Sequence, residues 1–140
     1  MARDQGGPLL TCQLLIYPVT DFRFQTESQA TNGQGYLLTR EVIDYFAECY
    51  LGSAAERLDW RASPALAADL SRLPAALVLT AGYDPLRDEG EDYANRLRAA
   101  GNSVKHLEYP GQIHGFITMG KVIRQANEAV ASCAEWLKAR

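Results

Sequence analysis

The chain has 140 residues, 47% of them apolar, and a formal charge of −3. This is the length of one domain with a real core, so residues 1–140 are read as a single unit. The mild acidity offers nothing to nucleic acid or to an anionic membrane surface. No apolar run approaches the length of a bilayer span, and "MARDQGGPLL" lacks the apolar centre of a secretory signal. Cys12, Cys49 and Cys133 are odd in number and widely spaced. They read as reduced, buried thiols of a cytoplasmic protein, neither a disulfide frame nor a zinc site.

The first predicted element is the apolar run "TCQLLIYPV" from Thr11 to Val19, a strand buried on both faces and stopped by Pro18. A long polar stretch with isolated aromatics follows, up to Leu38, and reads as a functional loop. "LTREVIDYFAECYLG" offers Thr39 as an N-cap, places Val42, Ile43, Phe46 and Tyr50 at helical spacing, and closes at Gly52. "WRASPALAADLSRLP" is a loop with one short turn. Pro74 to Gly82 is a second buried strand.

"DEGEDYANRLRAAG" is a helix, with acids first, basic residues late and Gly101 as its stop. Its inner face is Tyr93, Ala94, Leu97 and Ala100. "SVKHLEYP" is a third strand. "GKVIRQANEAVASCAEWLKAR" is a closing helix with Val122, Ile123, Ala126, Val130, Cys133 and Leu137 turned inward. Strand and helix alternate three times, which predicts an α/β fold of three parallel strands with flanking helices.

Chemistry in open α/β sheets gathers at the carboxyl ends of the strands. Asp84 follows the second strand and His114 the third, so both fall on one edge of the sheet. A buried carboxylate bonded to one imidazole nitrogen fixes the tautomer and steadies the imidazolium formed when the other nitrogen takes a proton. Pro85 and Gly115 give the two loops their turns. An Asp before Pro is a common turn residue, and a lone His before Gly is commonly a loop histidine. Only their pairing at matching strand ends raises the catalytic reading above these.

"DPLRDEGEDYANRLRAAG" followed by "VKHLEYPGQIHGF" resembles the C-terminal half of the hormone-sensitive-lipase-like branch of α/β-hydrolase esterases. "LLIYPVTDF", "GYLLT" and "SPALAADLSRLPAALVLTAGYDPLRDEG" fit the same family in the same order. The resemblance implies a partial α/β-hydrolase fold that hydrolyses small acyl esters by a Ser-Asp-His triad, without cofactor or metal. Asp84 would be the orienting acid and His114 the general base. Phe22, Phe24 and Tyr36 would line the acyl or alcohol pocket.

The triad of this fold runs Ser, Asp, His along the chain, with the serine on a strained Gly-x-Ser-x-Gly turn. Ser28, Ser53, Ser63 and Ser71 precede Asp84, and none has that setting. No His-Gly-Gly run supplies oxyanion donors. The expectation is therefore a chain that starts just after the nucleophile turn, with Met1 an internal methionine of a longer enzyme. In the family's sheet the Leu14–Tyr17 strand would pair with the nucleophile's strand, so an open edge is expected here, filled by self-association or by the N-terminal half. Two alternatives stay open: a serine peptidase of prolyl-oligopeptidase type, and a non-catalytic remnant or interaction domain. Asp88, Glu89 and Glu91 read as a dipole-favoured helix start, and His106 as a surface histidine.

Overall fold

A computed structural model describes residues 1–140. Its elements are β1 (Cys12–Ile16), α1 (Glu27–Asn32), α2 (Arg40–Tyr50), β2 (Ala75–Tyr83), α3 (Arg87–Ala99), β3 (Val104–Ile113) and α4 (Arg124–Lys138), with short 3₁₀ turns at Ala54–Leu58, Pro64–Leu66 and Phe116–Thr118. The three strands form one parallel sheet in the order β1-β2-β3.

The central strand carries the logic of the fold. Successive side chains of a strand point to opposite faces, and both faces of β2 are apolar. Leu77, Leu79 and Ala81 pack with Ala126, Ala129, Cys133 and Trp136 of α4. Ala76 and Val78 pack with Tyr93, Ala94 and Leu97 of α3. One helix therefore covers each face. A third, smaller cluster joins Phe24, Ile43, Ala47 and Leu86 beneath α2.

Several expectations are corrected. β1 is not buried on both faces: all five of its residues are only half-buried, because it lies at the sheet's edge with one neighbour. The long loop contains a helix, α1, whose inward residues Ser28, Gln29 and Asn32 are polar and leave no apolar periodicity to read. On α2 only Ile43 and Ala47 are buried, while Val42, Phe46 and Tyr50 are exposed. α4 begins at Arg124, not at Gly120; its buried stripe is Ala126, Ala129, Cys133 and Trp136, Val130 and Leu137 face outward, and Val122 lies exposed ahead of the helix. Trp136 is the one large side chain of that stripe; its other members are two alanines and Cys133. Cys133 is buried, but Cys49 is exposed and Cys12 half-buried; all three are free thiols.

The upper end of the sheet is irregular. Ala81 pairs with Tyr109, yet Tyr83 pairs with Ile113, so the register slips between them. One residue of β2, Gly82, faces a bulge of β3. A Cβ on Gly82 would lie 2.0 Å from the carbonyl oxygen of Pro110. Beyond the slip, the Tyr83–Ile113 pairing brings residues 84 and 114 side by side.

Candidate active site

Asp84 is fully buried, and its two oxygens are used differently. Oδ1 accepts the backbone N–H of Leu86 at 2.8 Å, a turn that opens α3. Oδ2 lies 2.8 Å from His114 Nδ1. A carboxylate oxygen only accepts, so Nδ1 carries the proton and Nε2 is left free as a base. His114 keeps a quarter of its side chain exposed. Gly115, at φ 80, turns the chain immediately after it.

The Asp84 loop is held from behind by α1. Ser28 Oγ donates to the carbonyl of Pro85 at 2.7 Å. Asn32 Nδ2 donates to the carbonyls of Gly82 and Asp84 at 3.2 and 3.3 Å. Asp88 accepts the Ser28 N–H at 2.7 Å, and Arg87 donates to the Gly82 carbonyl at 3.2 Å. Sequence reasoning missed Ser28 and Asn32. Their one signal was a polar pair at helical spacing in a segment with no apolar period.

Glu89 also departs from expectation. It is no solvated helix-start acid but a buried one. Its Oε1 accepts the N–H groups of Thr20 and Asp21 at 2.8 and 3.2 Å, and Oε2 accepts from Gln29 Nε2 at 3.4 Å. It thus ties α3 to both the segment after β1 and α1. Burial outweighs these donors and pushes its carboxyl up to about 7. The folded state therefore favours the protonated acid. The stability this contributes is complete below the ordinary value of 4.5 and lost as pH rises through about 7. We expect urea unfolding between pH 5 and pH 8 to show wild type losing about 1–3 kcal/mol relative to Glu89→Gln. Parallel pH dependence of the two proteins would contradict this.

His114 opens on an apolar cleft of about 650 Å³, whose other lining residues include Ile16, Tyr17, Phe22, Phe24, Phe46 and Tyr50. Phe22 and Phe24 line this cleft, Phe22 stacked on Tyr50 and Phe24 beneath Arg40 and Arg57. Tyr36 lies outside it and packs on Tyr83, 5.1 Å between centroids. The exposed aromatics of α2 also find their place here, since Phe46 and Tyr50 form one wall of the cleft. His106 is half-buried on the sheet with Nε2 2.8 Å from Thr80 Oγ1. No serine lines the cleft. Ser28 and Ser63 are buried with their hydroxyls bonded to backbone, Ser63 Oγ donating to the carbonyl of Arg57 at 2.7 Å.

The site is thus an acid and an imidazole joined across the strand ends of a parallel sheet covered on both faces. A family model described as the alpha/beta hydrolase fold matches residues 1–118, and the chain belongs to that family. It is 51% identical over 120 residues to the carboxylic ester hydrolase LipN of Mycobacterium tuberculosis, an alignment covering 84% of this chain and 32% of that protein. Against the ethyl acetate hydrolase of Pseudomonas putida the identity is 39% over 136 residues, covering 97% and 42%. The esterase of Pyrobaculum calidifontis superposes with a TM-score of 0.94 at 38% identity, covering 99% of this chain and 46% of that one. The chain spans less than half the length of each of these relatives.

Proposed function

We propose that this chain supplies the acid and the base of a carboxylic-ester hydrolase of the hormone-sensitive-lipase-like branch, acting on small acyl esters. The observation that carries the reading is the 2.8 Å bond from fully buried Asp84 to His114 at the mouth of an apolar cleft. His114 Nε2 takes the proton of a serine hydroxyl as its oxygen attacks the ester carbonyl, and Asp84 stabilises the imidazolium. The same proton then passes to the departing alcohol, leaving an acyl-enzyme. Water, deprotonated by His114, releases the acid. Phe22 and Phe24 give the substrate's apolar arm a surface to bury against. The names of the relatives, among them an ethyl acetate hydrolase, support a short-chain ester as substrate.

The serine belongs to a segment outside these 140 residues, since none here has the strained turn that exposes a nucleophile. β1, half-buried and paired on one side only, is the strand such a segment would join. A second copy of the chain is the other occupant this edge would accept. Loss of the nucleophile alone removes nearly all the triad's benefit, on the order of 10⁶ in a protease. These residues by themselves are therefore expected to cleave p-nitrophenyl acetate no faster than free imidazole. Adding a segment with the nucleophile turn should restore hydrolysis, and His114→Ala should abolish it. A burst from the chain alone, lost on mutating one of its own serines, would contradict this.

A further inference from the structure

Tyr17 stands at an unusual backbone position. Its φ is 35, a left-handed value that a bulky aromatic residue rarely adopts. Alternation along β1 shows what the twist achieves. Cys12, Leu14 and Ile16 pack on the α4 side of the sheet, and Leu15 packs on the α3 side. Residue 17 should follow Leu15. Its ring instead joins the α4 side with Ile16, while its N–H still bonds the Leu79 carbonyl at 2.7 Å. The left-handed step rotates the side chain across the sheet end without breaking the ladder.

That rotation puts the ring on His114, with centroids 4.3 Å apart and planes inclined by 52°. Phe116 supports Tyr17 from further down, at 6.4 Å. Asp84 bonds Nδ1 of the same imidazole, so the ring of His114 contacts both a carboxylate and an aromatic. Asp84 and Tyr17 are the titratable groups in contact with it. Burial, and then the charge of Asp84, push the Tyr17 phenol upward.

We propose that Tyr17 is a positioning residue for His114, its ring aimed by the left-handed backbone so that the π-system steadies the imidazolium and holds its plane against Asp84. The proposal rests on reading His114 as the base. An aromatic ring within about 6 Å of a cation attracts it through its quadrupole. In the reaction the cation forms when His114 takes the serine's proton, so the contact favours that charged stage. Holding a strained backbone for this contact is what a functional role would maintain. Apolar packing alone would be met by a regular strand residue.

The test is a titration of His114 by heteronuclear NMR in the chain as it stands. We expect Tyr17→Leu to lower the pH midpoint of His114 by about half a unit, and Tyr17→Phe to leave it within about 0.2 units of wild type, since the ring and not the hydroxyl is responsible. An unchanged or raised midpoint in Tyr17→Leu would overturn the proposal, as would a fall in Tyr17→Phe as large as in the leucine variant. Should Tyr17→Leu fail to fold, pentafluorophenylalanine at position 17 decides the matter. It keeps the shape and reverses the quadrupole, so the midpoint must fall below that of Tyr17→Phe; equal midpoints overturn the idea. Asp84→Asn is the separate control. If it leaves the midpoint of His114 where it was, the acid–base pairing itself fails, whatever Tyr17 does.

Discussion

Gly82→Ala is expected to destabilise the chain by about 3 kcal/mol or more, the upper end of what forced overpacking costs, and to separate Asp84 from His114. The added methyl would meet three backbone atoms of Pro110, the nearest at 2.0 Å. No flexible side chain is there to swing aside. Relief requires the β3 bulge to move, and that bulge sets the Tyr83–Ile113 pairing from which residues 84 and 114 project. The Gly82 carbonyl also receives Asn32 and Arg87, so a shift loosens α1 and the start of α3 together. Urea unfolding followed by circular dichroism reads the stability, and the NMR signals of His114 read the displacement. An alanine variant with wild-type midpoint and unchanged His114 signals would show that the slip between the strands has some other origin.

Asp84→Asn has the larger consequence for chemistry. Leu86 N–H requires an oxygen at the Oδ1 position, which forces the asparagine NH₂ to the side facing His114. A donor there can only meet an unprotonated Nδ1, and the proton moves to Nε2. The base then has its lone pair on the wrong nitrogen. The same exchange in a serine protease drops turnover about 10⁴-fold with the geometry intact. In an assembly that supplies the serine, we expect a loss of about 10³–10⁴-fold in kcat with a much smaller change in KM. Retention of more than a tenth of the activity would mean that another group orients His114.

β2 and α3 lie close to their expected places because each carries a regular pattern: a run apolar on both faces for the strand, and an apolar stripe between an acidic start and a glycine stop for the helix. β3 runs on to Ile113, past the expected end at Pro110. The pair at residues 84 and 114 was legible because two parallel strands of known order end next to each other. Rotations of the outer helices were not. On α2 the apolar stripe is wider than the core it covers, and the surplus, Phe46 and Tyr50, lines the cleft. On α4 the inner face holds Ala126, Ala129, Cys133 and Trp136 in place of the expected Val130 and Leu137.

The residues that hold the site were hidden for a different reason. Ser28, Asn32 and Glu89 act through backbone carbonyls and amides distant in sequence, and such partners leave no local pattern. Tyr17 reads in the sequence as one more apolar residue of a strand; its left-handed backbone and its contact with His114 exist only in three dimensions.

The role of His114 turns on the direction of one hydrogen bond, that between Nδ1 and Asp84. Long-range ¹H–¹⁵N correlation spectra of His114, recorded above its protonation midpoint, report which ring nitrogen bears the proton. The structure requires the Nδ1–H tautomer, bonded to Asp84, with Nε2 free, and Asp84→Asn should convert it to Nε2–H. A wild-type spectrum showing the Nε2–H form would mean that Asp84 does not orient the ring, and the hydrolase reading of this site would fail with it.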